Sequence, residues 1–229
     1  MFKAVIFDLD GTIIQLDLPL ERMRDDAKNY YINEGLPPEL LEPADGISSS
    51  TAKAKEHFLT NGLSQEEWDV MQQELDVLMS KHEKTSAKHA HLMDGVLESV
   101  QAIKSMGIRT AILTNNSRHA TDIILKQLPL EELFEVIQTR HESPTPKPYP
   151  DGLIHIIEKL GIKVDEAVYV GDAVIDGVAS SRAGMHFWGV STGETKAQDL
   201  ESAGAERVLA SLREIPSLLS ACQKDSPIE

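Results

Sequence analysis

The chain has 229 residues, enough for one large domain or for a core with a sizeable insertion, and it carries 37 acidic against 22 basic residues. The resulting formal charge of −15 argues against binding to nucleic-acid phosphates, which requires a cationic surface. Cys222 is the only cysteine and leaves no internal disulfide, and no apolar run suits a secretory signal or a membrane span, so we expect a cytoplasmic protein without membrane contact.

The predicted elements begin with a short apolar strand that ends at Asp8, and an all-helical stretch follows it. Helices are predicted over Leu20–Gly35, Ser48–Gly62 and Ser64–Lys84. No convincing strand interrupts them. An all-helical segment inserted after the first strand of an α/β core is typical of a lid or cap. We therefore predict a helical cap domain at residues 16–92 and a catalytic core made of residues 1–15 and 93–229.

From Met93 onward, predicted helices and strands alternate. Apolar residues at helical spacing predict helices over Val96–Met106, Arg118–Gln127, Gly152–Leu160 and Val174–Ala183. Short β-rich apolar runs predict strands over Arg109–Asn115, Phe134–Gln138, Glu166–Asp172 and Met185–Ser191. These runs are continuously apolar, which indicates strands covered on both faces. The sequence therefore predicts an α/β fold with a doubly wound parallel sheet.

Polar side chains follow several of the predicted strands or lie in the loops between elements. They are Asp8, Asp10, Thr114, Asn115, Lys147 and Asp172. In open parallel sheets, ligands bind beyond the carboxyl ends of the strands. We therefore expect these side chains to gather at one edge of the sheet and to form one site.

The stretch FDLDGT, Phe7–Thr12, places two carboxylates two residues apart. Residues i and i+2 of an extended chain point the same way, roughly 6 to 7 Å apart, so Asp8 and Asp10 can flank one reacting group. Phosphoryl transfer through a covalent intermediate uses such a pair: one carboxylate attacks phosphorus, and the other protonates the leaving oxygen and then deprotonates water. Gly11 supplies a tight turn, and the Thr12 hydroxyl can hold the second carboxylate.

The order of these motifs resembles that of the haloacid dehalogenase-like superfamily. The similar branch contains phosphatases with a helical cap after the first motif, the group of phosphoglycolate phosphatase and β-phosphoglucomutase. Four motifs carry the resemblance, namely DLDGT at Asp8–Thr12, LTNN with Thr114, KPYPD with Lys147, and GDAVIDG with Asp172 and Asp176. The resemblance covers nearly the whole chain, and it implies a Rossmann-like core with an inserted all-helical cap.

The resemblance implies a Mg²⁺-dependent phosphatase that hydrolyses a small phosphomonoester, phosphoglycolate-like or a sugar phosphate, through an aspartyl phosphate. Asp8 would be the nucleophile, and Asp10 the general acid and base. The Asp8 carboxylate, the Asp10 backbone carbonyl and Asp172 would bind Mg²⁺, an oxygen-only ligand set that suits a hard cation. Asp176 would act from the outer shell of the metal, through water or by orienting a neighbouring group.

The same resemblance implies how the phosphoryl group is held. Thr114 and the Asn115 amide would bind the phosphoryl oxygens, and Lys147 would neutralise both the phosphate and Asp8. The expected partner is a small phosphorylated metabolite, because one lysine and a metal ion can reverse the potential inside a single cleft of an acidic protein. Nothing in the sequence predicts an oligomeric state.

Other functions stay open beside the phosphatase. A phosphomutase of the same superfamily is one, although that branch commonly carries valine where Thr12 stands. A non-catalytic regulatory or binding protein on this fold should lack the nucleophile, the acid or a metal ligand, and none is missing. A phosphoacceptor receiver domain would have no use for the long helical insertion. Haloacid dehalogenases lack a carboxylic acid at the second position, so Asp10 favours phosphoryl transfer.

Overall fold

The computed structural model of the chain describes residues 1–193 and 195–224. Its strands are β1 (Ala4–Phe7), β2 (Ile14–Gln15), β3 (His91–Leu92), β4 (Arg109–Leu113), β5 (Val136–Gln138), β6 (Ala167–Gly171), β7 (His186–Val190) and β8 (Arg207–Leu209). Its α-helices are α1 (Leu20–Asn33), α2 (Ile47–Thr60), α3 (Gln65–Ala87), α4 (Val96–Ser105), α5 (Arg118–Gln127), α6 (Asp151–Leu160), α7 (Val174–Ala183), α8 (Ala197–Ser202) and α9 (Ile215–Lys224). Short 3₁₀ helices lie at Pro38–Leu40, Glu131–Leu133, Val164–Glu166 and Leu212–Glu214.

Six strands form one sheet in the order β5-β4-β1-β6-β7-β8, and every neighbouring pair is parallel. The first strand of the chain is central, so that Phe7 pairs with Ile112 on one side and with Val170 on the other. All four residues of β1 are buried, as its unbroken apolar sequence requires. The predicted α/β fold with a parallel sheet is confirmed.

Helices cover both faces of this sheet. One face packs against α6, α7 and α8 through a core that includes Ile6, Leu113, Ile156 and Phe187. On the opposite face of the sheet, α4 contacts both β4 and α9. Because apolar side chains leave both faces of each buried strand, two helical layers are needed to cover them.

The sequence analysis missed the last elements of the core and a small ribbon. The elements α8, β8 and α9 lie beyond the last predicted strand. In the ribbon, β2 and β3 pair in antiparallel fashion, with Ile14 opposite Leu92. Strands of two residues are too short to show a period of two, so only their pairing reveals them.

The chain divides into two compact units, one of Met1–Leu16 with the chain from Ala87 onward, and one of Asp17–Ser86. The second boundary therefore lies ahead of residue 93, where the sequence analysis placed it. The physical reason is the ribbon: Leu92 pairs with Ile14 and so belongs with the first unit. The unit Asp17–Ser86, described throughout, contains helices and no strand.

The three helices of the unit Asp17–Ser86 pack around their own apolar core. Its members are Met23, Ala27, Tyr31, Leu36, Ala54, Trp68, Met71, Leu75 and Met79. The Tyr31 ring stacks on Trp68 with ring centroids 6.1 Å apart and 7° between the planes. A capping box begins α3, since the Ser64 N–H donates to the Glu67 carboxylate at 2.8 Å and the Glu67 N–H donates to Ser64 Oγ at 3.2 Å. Across the described ranges, every helix is too short or too polar to cross a membrane.

Candidate active site

The predicted site residues follow the carboxyl ends of adjacent strands. Asp8 comes directly after β1, Thr114 after β4 and Asp172 after β6, and β1 lies between the other two strands. Backbone pairing continues one residue beyond two of these strands, because the Asp8 N–H donates to Val170 O at 2.8 Å and the Thr114 N–H donates to Gln138 O at 2.9 Å. The order of the sheet thus brings distant loops to one edge, where ligands of such sheets bind.

A buried lysine connects two carboxylates at this edge. Lys147 Nζ donates to Asp8 Oδ1 at 2.6 Å and to Asp176 Oδ1 at 2.7 Å. The three residues are 5%, 6% and 0% exposed, respectively. Burial by itself lowers the pKa of Lys147, but the charges of Asp176 and Asp8 more than offset it, and the pKa lies above its usual range. The ammonium therefore stays charged and compensates part of the negative charge around it.

Three carboxylates meet here, but they differ in what already binds them. One oxygen from each of Asp8, Asp172 and Asp176 lies within 4.8 Å of the other two. Both oxygens of Asp176 accept bonds from the protein, Oδ1 from Lys147 and Tyr169, and Oδ2 from the Ala173 N–H at 3.0 Å. This arrangement suits an orienting role for Asp176 and leaves Asp8 and Asp172 as the better candidate ligands of a metal.

The charge of the cluster fits a divalent cation. Burial and the charges of Asp8 and Asp176 raise the pKa of Asp172 to about 8. Burial also raises the pKa of Asp8 to about 6, although Lys147 opposes the shift. Three carboxylates lie together here with one ammonium group, and carboxylate oxygens are the ligands that Mg²⁺ prefers. The residues present therefore fit Mg²⁺ by charge and by ligand chemistry.

Asp10 has a different environment from Asp8. Its Oδ1 accepts the Leu16 N–H at 3.0 Å. Burial and the charge of Asp8 raise the pKa of Asp10 to about 7, a value suited to proton transfer near neutral pH. The Thr12 hydroxyl, which the sequence analysis assigned to this second carboxylate, donates instead to Asp172 Oδ1 at 3.4 Å. The backbone of Leu16 takes the place that was expected for Thr12.

Two glycines enclose the Asp172 carboxylate. Gly11 has a φ of +77°, and a Cβ there would lie 2.4 Å from Asp172 Oδ2. A Cβ at Gly193, in the loop after β7, would lie 1.7 Å from the same oxygen. The two loops are joined, because the Thr192 hydroxyl donates to Gly11 O at 2.7 Å. Only residues without a side chain allow the backbone to approach the carboxylate this closely.

We expect Gly193→Ala to weaken Mg²⁺ binding about 10- to 100-fold, because the methyl group would displace the Asp172 carboxylate, a candidate ligand of the metal. Isothermal titration of the metal-free protein with MgCl₂ measures the affinity. Gly46→Ala is the control, since a Cβ there would meet nothing within 4 Å and the position has no positive φ. Equal affinities for the two variants would show that this contact does not position Asp172.

Asn115 is tied to the backbone of Lys147. Its Nδ2 donates to Lys147 O at 2.9 Å, and the Lys147 N–H donates back to Asn115 Oδ1 at 3.0 Å. These two bonds use one N–H and the oxygen of the side-chain amide, so a contact between Asn115 and phosphoryl oxygens would come from the second Nδ2–H or from the backbone N–H. Arg140 supports the same loop by donating to Asn115 O at 2.7 Å. Thr114 is 2% exposed, and its Oγ1 accepts the Asn116 N–H at 3.1 Å.

The structure adds residues that the sequence analysis did not associate with the site. Tyr169 lies inside a predicted strand, where an aromatic side chain is normally read as core. Arg140, Thr192 and Gly193 lie in loops without a recognised motif. Thr192 and Gly193 could have been associated with the site from the sequence, because their loop follows β7, the strand next to β6, at the same edge of the sheet.

Comparison with known proteins agrees with this architecture. The model of the haloacid dehalogenase-like hydrolase family matches residues 5–190. A phosphoglycolate phosphatase from Nitrosospira multiformis is 27% identical over 222 residues, 95% of each chain, and the pyrophosphatase PpaX of Bacillus pumilus is 28% identical over 190 residues, 82% of this chain and 83% of that one. The crystal structure of a hydrolase from Pseudomonas syringae shares the fold, with a TM-score of 0.67, 24% identity and coverage of 98% and 99%. The chain therefore belongs to the haloacid dehalogenase-like hydrolase family, as the sequence resemblance indicated.

Proposed function

We propose that this protein is a phosphatase that hydrolyses a small phosphomonoester with the help of Mg²⁺ and through an aspartyl phosphate on Asp8. The observation that carries the proposal is the environment of two carboxylates two residues apart. The Lys147 ammonium is hydrogen bonded to Asp8 and favours its ionised form, although burial raises the pKa of Asp8 to about 6, whereas burial and the charge of Asp8 raise the pKa of Asp10 to about 7. A carboxylate paired with a buried ammonium and a neighbouring carboxyl group bonded to a backbone N–H can serve as nucleophile and acid in one reaction.

In the first step, a carboxylate oxygen of Asp8 attacks phosphorus, and the bond from phosphorus to the ester oxygen breaks. Lys147 holds Asp8 in place and keeps it ionised, and Asp10 gives its proton to the leaving oxygen. Thr114 and an N–H of Asn115 hold phosphoryl oxygens. Mg²⁺ bound by Asp8, the Asp10 carbonyl and Asp172 would neutralise the repulsion between a carboxylate and a phosphate dianion.

In the second step, Asp10, now ionised, takes a proton from a water molecule. The water oxygen attacks phosphorus, and the bond between phosphorus and the Asp8 carboxylate breaks. The products are inorganic phosphate and a free Asp8 carboxylate, and Asp10 has regained the proton that it lost in the first step. Each carboxylate is thus restored after one turnover, and one water molecule is consumed.

We assign the choice of substrate to the helical unit Asp17–Ser86, which acts as a cap, and we infer a phosphoglycolate-like ester or a sugar phosphate. The relative named phosphoglycolate phosphatase supports the first of these. A second candidate is inorganic pyrophosphate, because another relative is named a pyrophosphatase. A phosphomutase would instead convert one phosphate ester into another. The cytoplasm stays our expectation for the location of the protein.

A panel of phosphate compounds tests the proposed function. Phosphoglycolate, several hexose phosphates, pyrophosphate and p-nitrophenyl phosphate would each be offered with Mg²⁺ and with EDTA, and release of inorganic phosphate would be measured. We expect release from small monoesters that stops with EDTA and returns with excess Mg²⁺. Turnover that does not depend on metal would contradict the mechanism, and isomerisation of a sugar phosphate without net phosphate release would indicate the mutase.

We also expect Mg²⁺ affinity to rise with pH between about 6 and 8.5, because metal and protons compete for the same carboxylates. The raised pKa values, about 8 for Asp172 and about 6 for Asp8, mean that the metal-free protein binds extra protons near neutral pH, and these protons must leave when the metal binds. Titrations with MgCl₂ at pH 7, in two buffers of different ionisation enthalpy, report the number of protons released. Identical heats in both buffers would show that no proton is displaced.

A further inference from the structure

Tyr169 is a buried tyrosine of β6 whose hydroxyl lies against Lys147. It is 0% exposed, and the mechanism above does not use it. We propose that Tyr169 is a positioning residue: it binds one N–H of the Lys147 ammonium and thereby aims the other two at Asp8 and Asp176. The inference rests on the proposed role of Asp8 as the nucleophile, and it extends that role to the group that holds its counter-ion in place.

The first support is the hydrogen-bond inventory of the lysine. An ammonium group has three N–H donors and no acceptor. Lys147 Nζ donates to Asp8 at 2.6 Å, to Asp176 at 2.7 Å and to the Tyr169 hydroxyl at 3.0 Å. Three partners use all three donors. Direct donation to a phosphoryl oxygen would require one of these bonds to break, so in this arrangement the lysine acts on Asp8 and contributes its charge.

The second support is the bonding of the tyrosine itself. Its hydroxyl accepts from Lys147 and has one proton to donate, with Asp176 Oδ1 at 3.0 Å and Leu113 O at 3.3 Å as acceptors. Lys147, Tyr169 and Asp176 therefore form a closed triangle in which each pair is hydrogen bonded. Rotation of the ammonium would break its bonds to Tyr169 and to Asp176, so the triangle restricts the lysine to one orientation.

The third support is the place of the tyrosine ring. Tyr169 belongs to the apolar core below the sheet edge, together with Leu113 and Phe187. A phenylalanine would fill the same volume, and a buried hydroxyl costs free energy unless it is hydrogen bonded. Packing therefore accounts for the ring, whereas the hydroxyl makes its two shortest hydrogen bonds, both of 3.0 Å, with Lys147 and Asp176. The two functions can be separated by removing the oxygen alone.

Tyr169→Phe removes that oxygen, and Tyr31→Phe is a matched control. Tyr31 is also 0% exposed, and its hydroxyl bonds Thr51 and Gln72 at 3.0 Å each, within the helical unit. We expect Tyr169→Phe to lower kcat about 10- to 100-fold, the rate equivalent of one hydrogen bond to a charged group, with KM changed by less than about threefold. Tyr31→Phe should leave kcat unchanged at a similar loss of thermal stability.

A second measurement does not depend on activity. In protein labelled with ¹⁵N-lysine, without metal or substrate, the signal of the Lys147 ammonium can be assigned through its loss in Lys147→Arg. We expect slow solvent exchange of this ammonium in the original chain and in Tyr31→Phe, and a shifted, faster-exchanging signal in Tyr169→Phe. If Tyr169→Phe does not fold, solvent exchange of the Lys147 ammonium in the unsubstituted chain still tests the proposal. Fast exchange there would overturn it.

The two measurements separate this inference from the proposed function. The positioning role would be overturned by an unchanged kcat in Tyr169→Phe, or by a Lys147 ammonium signal with the same shift and solvent exchange in that variant. Either result would overturn it even if the chain is the phosphatase proposed above. If no phosphomonoester is hydrolysed but the ammonium signal responds as expected, the triangle stands and the proposed chemistry fails. A large rise in KM with unchanged kcat would assign Tyr169 to substrate binding and would also overturn the inference.

Discussion

Replacing Asp8 by asparagine should reduce turnover by about 10⁴-fold or more, because an amide does not attack phosphorus and no neighbouring carboxylate occupies the same position. Replacing Asp10 by asparagine should have a different signature. p-Nitrophenolate leaves without a proton, so the first step can proceed, whereas hydrolysis of the aspartyl phosphate loses its general base, at a cost of about 10²- to 10⁴-fold.

Rapid-quench measurements with p-nitrophenyl phosphate distinguish the two variants. We expect Asp10→Asn to give a burst of about one equivalent of p-nitrophenol followed by a slow phase, the kinetic sign of an accumulated covalent intermediate. Intact-protein mass spectrometry should show one added phosphoryl group, and the Asp8→Asn/Asp10→Asn pair should show none. The exposed Asp165 supplies the control Asp165→Asn. A covalent phosphoryl adduct in Asp8→Asn would show that another residue is the nucleophile.

Replacing Lys147 by methionine should abolish activity and also lower the free energy of unfolding by about 3 to 5 kcal/mol, because Asp8 and Asp176 would remain buried without their counter-ion. The matched control is Lys3→Met, which removes the ion pair with Glu166 at 2.7 Å, where the two side chains are 57% and 21% exposed. An exposed pair of this kind contributes less than about 1 kcal/mol. Urea unfolding at pH 8 measures both losses.

The pH dependence of the Lys147→Met loss provides a further check. Without the lysine, the pKa of Asp8 should rise above its value of about 6, and a carboxyl group whose folded pKa is raised stabilises the fold less as pH increases. The deficit should therefore be smaller at pH 5, where the Asp8 carboxyl group binds a proton, than at pH 8. A deficit that is equal at both pH values, or equal to that of Lys3→Met, would show that Lys147 does not compensate these carboxylates.

Much of the fold could be predicted from local sequence. Continuous apolar runs such as Ala4–Phe7 become buried strands, and Gly161 ends α6 with a positive φ. The ribbon of Ile14 and Leu92 could not be predicted, because two-residue strands have no periodicity and their pairing joins residues far apart in the chain. The same pairing shifts the boundary between the units, which hydropathy alone could not locate.

The sequence by itself identified the candidate chemical groups of the site. Asp8 and Asp172 were predicted because they follow apolar runs, and Lys147 was predicted by its place in the order of the motifs, all of which can be read from the chain itself. Only the tertiary structure decided their partners: Thr12 meets Asp172, 160 positions away, and Asn115 meets the backbone of Lys147, 32 positions away. Such contacts depend on where the loops after parallel strands converge, and that convergence follows from the order of strands in the sheet rather than from neighbouring residues.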